Sequence, residues 1–581
     1  MFSVDQIVID HFPTLARSQV GAPFLKGVLR RLLHEDDFHE FAERYPHLQG
    51  IEFVEQALQT LGLSYAVDDS ERENIPASGR VLIVANHPVG SLDGLALLKL
   101  VHEIRSDVRI VANDLLTTIA PLRSLLLPVR NMTGTSRKGH IDRIVQALGR
   151  EQAIIIFPAG EVSRLGPQGI KDRSWQRGFL RIAEQAKAPI LPIHISGRNS
   201  ARFYLASLFA RPLSTLMLVG EMFRQESKQL RFTIGALIPY RAYSNMPLRR
   251  GDKVKLFQRH LYRIGQGKKP LFAVESAIAR PERKADLKKA ILQGERLGVT
   301  PDGKAIYLMA NLDSSPVMRE IGRLREQAFR AVGEGTGQRR DLDRFDRHYL
   351  HLILWDEEDL EIAGAYRFVD AGATIGEQGL DGLYSAGLFQ FDAAASPFLR
   401  NGLELGRSFV QQRYWGKRSL DYLWYGIGAY LRNHSHYRYL FGAVSISGAM
   451  PPLARDLLVY FYKLYFPGDP GLSRSRNPFT YSRPEEELAR EFAGNDYRGD
   501  LRRLKTLLGN LGTAIPPLYK QYAELCEPGG VTFLDFNIDP CFSHCVDGMV
   551  IVDLEKLKDN KRSRYLTDSI LKQQHSLETT L

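Results

Sequence analysis

Four short apolar runs place the tightest limit on how this chain can fold: Val81–Ala85, Val108–Ala112, Ala153–Phe157 and Ile190–Ile195. Turn residues close each run, and helical patterns such as Gly94–Ile104 and Ile141–Leu148 separate them. A strand apolar on both faces must be covered on both faces, so runs of this kind alternating with helices predict a largely parallel sheet in an α/β unit. Leu216–Val219 and Leu230–Ile234 extend the pattern towards Pro239. From Ala305 the rhythm changes. Ala305–Leu312, Tyr349–Trp355, Glu361–Val369 and Tyr384–Phe391 alternate with period two, which predicts an antiparallel or mixed sheet. Helices are expected at Ser419–Leu431 and Pro452–Tyr465, with a strand at Tyr439–Ser445 between them. At 581 residues the chain exceeds one ordinary core. The fold class is α/β, in two tandem domains over residues 1–264 and 300–581. A charged linker helix is expected between them, at 265–299.

Charge narrows the partners. The net charge of +11 suits an anionic membrane surface or an acidic carrier protein. No interleaving of basic and aromatic residues and no groove-reading motif stands out, so nucleic acid is not expected. Three cysteines make no disulfide framework, which points to a reducing cytoplasm. Cys541, His544 and Cys545 lack a second ligand pair at zinc spacing, so no metal site is expected. No basic stretch followed by an apolar run opens the sequence, and no run of about 18 apolar residues occurs. Leu115–Val129 and Phe203–Met222 come nearest, and read as core or interfacial helices. The expected location is cytoplasmic, peripheral on the inner face of the cytoplasmic membrane, with Arg123 beside Leu125–Leu127 meeting lipid.

His87 follows the first strand within Asn86-His87-Pro88-Val89-Gly90-Ser91-Leu92-Asp93, and Asp93 precedes a helical pattern. Open α/β sheets bind ligands at that edge. A histidine held by a carboxylate can take a hydroxyl proton; the alternative is that Asp93 is an N-cap and His87 a loop residue. Phe157-Pro158-Ala159-Gly160-Glu161-Val162-Ser163-Arg164 brings a carboxylate and an arginine to the same edge, and Arg130 follows Leu127-Pro128-Val129. In order, these blocks resemble the glycerolipid acyltransferases related to lysophosphatidic acid acyltransferase. By that resemblance His87 is the base that activates an acceptor hydroxyl towards an acyl thioester, and Asp93 orients it. Arg130, Glu161 and Arg164 would bind substrate. Five residues separate His87 from Asp93 where the family has four, and Ala159 replaces the family's glutamate in the third block.

The second half carries Arg325, Phe329, Asp343, Asp346, Arg367, Phe389, Glu404 and Arg407 in sequence, then Arg413-Tyr414-Trp415-Gly416-Lys417-Arg418 before a helix. A basic, glycine-containing turn at a helix N-terminus can offer N–H groups to phosphate. Glu404 and Arg407 interrupt an apolar pattern, as a site or a structural ion pair would. In order, the pieces resemble the acetyltransferase-like fold of acyl-homoserine lactone synthases and, more closely, the N-acyltransferases that make lyso-ornithine lipid. The resemblance makes Glu404 the base for amine attack on a thioester. It makes Arg325, Phe329, Asp343, Asp346, Arg367, Phe389 and Arg407 substrate contacts, with Asp343 and Asp346 steering a cationic amino acid. Arg413, Gly416 and Arg418 would hold the donor's phosphopantetheine, and Tyr425 could protonate the leaving thiolate. Arg418 at the end of the turn departs from the usual acetyltransferase loop and favours a carrier-protein donor over coenzyme A.

Together the halves resemble the bifunctional ornithine lipid synthases. The C-terminal domain would join a 3-hydroxyacyl group from acyl carrier protein to ornithine, and the N-terminal domain would acylate the 3-hydroxyl. No tightly bound cofactor is implied beyond the phosphopantetheine thioester of the donor. One alternative is a glycerophospholipid acyltransferase fused to an N-acyltransferase for glycine, glutamine, lysine or homoserine. The other is a non-catalytic membrane scaffold.

Overall fold

The computed structural model describes residues 34–113, 119–129, 136–166, 169–200, 229–310 and 312–567, and residues 27, 30, 203, 204 and 221. The chain divides into two compact units, Met1–Ala279 and Arg280–Leu581. Arg130 and Leu216–Val219 lie outside the described residues.

The first unit is built on β1 (Ser64–Ala66), β2 (Val81–Ala85), β3 (Val108–Asn113), β4 (Leu126–Val129), β5 (Ala153–Ile156), β8 (Ile190–Ser196) and β9 (Gln229–Ile234), with a small hairpin of β6 (Arg164–Gly166) and β7 (Gly169–Lys171). The seven-stranded order is β1-β9-β8-β2-β5-β3-β4. Every pairing is parallel except β8 with β9, where His194 faces Thr233. All five residues of β2 are buried because the strand is central and covered on both sides. Leu82 and Val84 pack with Phe179, Leu180 and Phe257 on one face, while Ile83 and Ala85 pack with Leu92, Leu97 and Val101 on the other. Among the described residues no helix is long and apolar enough to cross a membrane.

The second unit holds β10 (Glu295–Val299), β11 (Ala305–Met309), β12 (Leu350–Asp356), β13 (Glu361–Asp370), β15 (Gly402–Val410), β16 (Tyr439–Ile446), β18 (Val531–Asp539) and β19 (Cys545–Asp553). Their order is β10-β11-β12-β13-β15-β16-β19-β18. Only β15 and β16 pair in parallel. Tyr384–Phe391 is not one strand: Ser385–Gly387 turns, and only β14 (Phe389–Phe391) is extended, against β17 (Ser473–Ser475). Ser385-Ala386-Gly387 breaks the alternation, and the turn is held by the Tyr384 and Ser385 amides donating to Glu404 on β15, a partner remote in sequence.

The 265–299 segment is divided between the units instead of forming a free linker. Its helix, α1 (Lys284–Ile291), places Leu287 and Ile291 four residues apart on one face, and both are buried against Val317 and Ile321 of α2 (Pro316–Ala331). β10 then opens the second sheet within the same segment.

Candidate active sites

In the first unit β2 ends at Ala85, and the next residues fold back over the sheet edge. Asn86 ties this corner to β8 by donating to the Ile195 carbonyl at 2.8 Å and accepting from the Ile195 N–H at 2.7 Å. Gly90 stands at φ 113°, a left-handed conformation that a side chain would strain, and so accommodates the extra residue between His87 and Asp93. Asp93, in the first turn of α3 (Ser91–His102), is fully buried, and its Oδ2 accepts from the Val89 and Gly90 amides at 2.8 and 3.1 Å. The same oxygen lies 3.3 Å from Nδ1 of His87. Asp93 is therefore an N-terminal cap and a histidine partner at once. The imidazole stacks on Phe157, with centroids 4.2 Å apart, and remains partly open to solvent. Glu161 is half-exposed, with Arg164 at 3.9 Å and Arg173 at 4.0 Å; the Arg164 guanidinium lies over Phe203.

A residue the sequence did not single out fixes the histidine's backbone. Asp172 Oδ1 accepts from the His87 N–H at 3.1 Å and from the Ser163 hydroxyl at 2.5 Å, while Oδ2 accepts from the Trp175 indole at 2.9 Å. The Ser163 N–H in turn donates to the His87 carbonyl at 2.8 Å. Burial pushes the Asp172 carboxyl above its usual range, and these donors pull against that. An amide in place of the carboxylate would face donor against donor. Asp172→Asn is expected to lower stability by about 1–3 kcal/mol and to shift the His87 loop. Thermal melts and hydroxyl-acyl transfer check this, with kcat falling about tenfold or more while the acceptor KM changes little.

In the second unit the site residues gather on one face of the sheet. Arg325 of α2 and Arg367 of β13 are fully buried cations, and Arg407 of β15, 11% exposed, lies beside them. Arg325 Nη1 donates to Asp346 Oδ1 at 2.7 Å. Arg367 Nη1 reaches Asp343 Oδ1 at 2.6 Å and Asp346 Oδ1 at 2.8 Å, while its Nη2 donates to Asp343 Oδ2 at 2.7 Å. Nε of Arg407 lies 3.0 Å from Asp341 Oδ2. Burial raises the carboxyls of Asp343 and Asp346, but the arginines outweigh it and hold both below the usual range. His351 hydrogen-bonds the Asp346 carbonyl, and its pKa is pushed down to about 4 by burial and then by Arg325, so it is neutral. Asp343 and Asp346, expected to steer a cationic amino acid, are thus already bound to arginine.

Glu404, expected as the base, is fully buried and surrounded by donors. Oε1 accepts from the Ser385 N–H at 2.7 Å; Oε2 accepts from the Tyr349 hydroxyl and from the Tyr384 N–H at 3.2 Å. Burial raises its pKa, with the Tyr349 and Ser385 bonds opposing. The Arg407 guanidinium lies over the rings of Tyr384 and Phe542, 4.6 and 4.8 Å from their centroids, and Phe329 meets Phe542 edge-on. Phe389 is buried in the apolar cluster behind Tyr349. Pairing of β15 with β16 is confined to Gly402–Glu404 against Tyr439–Phe441; beyond it β15 runs on beside β13, and β16 beside β19. A bulge sits there, since Ala365 and Arg367 face Phe409 and Gly406, and Arg407 takes φ 49°.

Past that opening, Arg413 pairs with Asp359 and Glu361, Gly416 turns at φ 73° with open space around it, and Arg418 pairs with Asp421 at 3.1 Å. The turn caps α4 (Ser419–Asn433). Tyr425 packs against Tyr565 and Tyr422 in the core of the opposite face, away from Glu404. Tyr349, Tyr384 and Asp341 joined the site only through folding; no spacing in the sequence marks them.

Residues 6–258 match the family described as Acyltransferase, and residues 324–425 match the acetyltransferase (GNAT) domain. A glycine N(α)-acyltransferase of Bacteroides thetaiotaomicron is 32% identical over 302 residues, covering 50% of this chain and 89% of that protein. A lyso-glycine lipid O-acyltransferase of Phocaeicola vulgatus is 30% identical over 227 residues, covering 38% of this chain and 80% of the relative. An L-ornithine N(α)-acyltransferase of Brucella abortus is 39% identical over 147 residues, 22% of this chain and 50% of its own length. An amine-directed and a hydroxyl-directed transferase, separate proteins among these relatives, both find their counterpart here. The chain is therefore an enzyme of the lipid acyltransferase family, with an N-terminal acyltransferase unit fused to a C-terminal GNAT-like unit in one polypeptide.

Proposed function

We propose that the chain builds a diacylated amino-acid lipid in two transfers. In the second unit the neutral α-amino group of ornithine attacks the thioester carbonyl of a 3-hydroxyacyl chain carried on acyl carrier protein; the C–S bond breaks, and the amine's proton passes to the departing thiolate to leave an amide and the carrier's free thiol. In the first unit His87 removes the proton from the 3-hydroxyl of that product, the oxygen attacks a second acyl thioester, and as the C–S bond breaks the imidazolium returns the proton to the departing thiolate. Asp93 orients the imidazole and stabilises its protonated form. The observation that carries the reading is the pair of unlike sites: a histidine–aspartate couple at the edge of a parallel sheet, and an arginine–carboxylate face beside two parting strands.

The opening between β15 and β16 suits a slender thioester arm, and the bulged backbone around Arg407 supplies candidate N–H donors for the oxyanion. The Gly416 turn at the start of α4 suits the phosphate of phosphopantetheine. Because its oxygens are engaged, Glu404 orients Tyr349 and the Tyr384–Ser385 turn. Arg164 and Glu161 are kept as acceptor contacts of the first unit. The net charge of +11 suits both an acidic carrier and an anionic leaflet, and supports a peripheral position on the inner face of the cytoplasmic membrane. A second reading, with glycine as the amino acid, is favoured by the longer span of the glycine-directed relatives.

The test is lipid mass spectrometry of a bacterial host without aminolipids that expresses the intact chain and is fed isotope-labelled ornithine or glycine. A diacyl lipid carrying the ornithine label is expected. The glycine label would select the second reading, and no new amino lipid from soluble protein would overturn both.

A further inference from the structure

Arg325, Arg367 and Arg407 are taken up by Asp341, Asp343 and Asp346, and among the described residues three further buried carboxylates on this face, besides Glu404, have no ion pair. Glu334, Asp539 and Asp547 are only 7%, 7% and 5% exposed. Ser445 and Asp547 are cross-strand partners and so share a face of the sheet. Phe441, two steps of alternation back along β16 from Ser445, faces Glu404, which puts Asp547 on the face that carries Glu404. The Ser445 hydroxyl donates to Glu334 at 3.0 Å. Asp539 accepts from the Cys541 N–H at 2.8 Å and, distantly, from the Tyr384 hydroxyl at 3.5 Å. Oδ2 of Asp547 is buried with no hydrogen-bond partner.

A buried, unpartnered carboxylate oxygen is costly unless something else completes it. Arg407, whose charge acts on Asp547, is engaged by Asp341 at 3.0 Å and Asp343 at 3.6 Å. Among the described residues no three such side chains converge as metal ligands do. We propose that Asp547, flanked by Glu334 and Asp539, is the anchor of an ammonium-binding subsite that receives a primary amine of the amino-acid acceptor. The proposal rests on the reading of this unit as an amine acyltransferase and goes further by assigning the amine to these residues. Burial first, then Asp539 and Glu334, pushes the Asp547 carboxyl up to about 8, and burial pushes Glu334 up to about 7. The empty subsite accordingly holds protons that a bound ammonium replaces.

The subsite could hold either the reacting α-ammonium or the side-chain ammonium of ornithine, and the test separates them. Full-length Asp547→Asn is compared with wild type for N-acyl transfer from a 3-hydroxyacyl thioester to glycine and to ornithine, and by calorimetric titration of both amino acids. A fall of about 30-fold or more in kcat/KM with both acceptors assigns the reacting amine; a fall with ornithine alone assigns the side chain. Rates within threefold of wild type for both would overturn the subsite. If wild type acylates neither amino acid, the enzymatic reading fails by itself, and the titration decides the subsite: binding lost in the variant supports it, and no binding to wild type sinks it.

Thermal melts supply a readout that a structural carboxylate would not give. A carboxyl raised on folding stabilises fully below about pH 4 and loses that contribution as pH rises through about 8. The variant should therefore match wild type near pH 4 and melt higher at pH 8. A lower melting temperature at pH 8 would make Asp547 structural and overturn the proposal. The groups acting on Asp547 across that range are Glu334, Asp539 and Arg407, with Tyr519 and Tyr384 in turn feeling its charge.

Discussion

His87→Ala should leave the enzyme producing only the mono-acylated amino lipid. His87 lies at the end of a buried strand, is flanked by Phe157 and faces Asp93, which two backbone amides hold in place. On the proposed mechanism, removing the imidazole takes away the proton acceptor for the hydroxyl without touching the core below it. General-base catalysis of this kind contributes about 10²–10⁴-fold, and a loss of about 10³-fold in O-acyl transfer is expected. Lipid mass spectrometry should show the lyso-product accumulating, while purified enzyme acylates the amino acid at the wild-type rate. His87→Gln keeps the shape and a hydrogen-bonding group without a usable base, and should fall as far. Asp93→Asn should lose less in rate but more in stability, because Oδ2 also caps α3. A diacyl lipid made at wild-type level by His87→Ala would remove the histidine from the chemistry.

Arg367→Met should have the largest effect on the second unit. Its guanidinium serves Asp343 through two bonds and Asp346 through a third, entirely within the protein. The methionine would fill much of the space while leaving the buried Asp346 with Arg325 alone and the partly exposed Asp343 with only Arg407 at 3.6 Å. Breaking one partner of a buried ion pair costs about 3–5 kcal/mol. N-acyl transfer should disappear with it, while O-acyl transfer by the first unit remains as the internal control. Arg367→Lys should recover only part, since one ammonium cannot reproduce the planar fork. Adding Asp343→Asn to Arg367→Met should restore some stability, and chemical denaturation of the three variants tests the order. The pH dependence has a definite sign. Asp343 and Asp346 are held below their ordinary range, so their contribution is present above about pH 4 and is lost as pH falls through the folded values. A wild-type melting profile that stays flat on acidification below pH 4 would contradict the network.

Apolar patterning made much of the architecture legible. The runs at Val81–Ala85 and Ile190–Ile195 are buried on both faces because their strands are central and parallel, and such strands must be apolar throughout. The change of rhythm after Ala305 marks a sheet with only one parallel pairing. His87, Asp93, Arg367, Glu404 and Arg407 stood out as candidates because polar residues stand at strand ends or interrupt apolar alternation, whereas Arg325, on a charged helix, entered only through the family resemblance. Asp172 was not, since it lies 85 residues from His87 and meets it only after the sheet has formed. Tyr384 was misread as strand because its turn exists to deliver amides to Glu404, a partner 20 residues away.

Which side chains are charged and which strands are buried can be read from the order of residues, because local apolar periodicity decides burial. Which charges neutralise one another and which are left over was settled by folding. Arg325, Arg367 and Asp346 come from a helix, a strand and a turn, and nothing in their spacing says that they neutralise each other. Nor does the order of residues say that Asp547 stands across from Ser445 with an oxygen unpartnered. Pairing of buried charges depends on distances of a few ångströms in a medium that screens poorly, and those distances are fixed by sheet register.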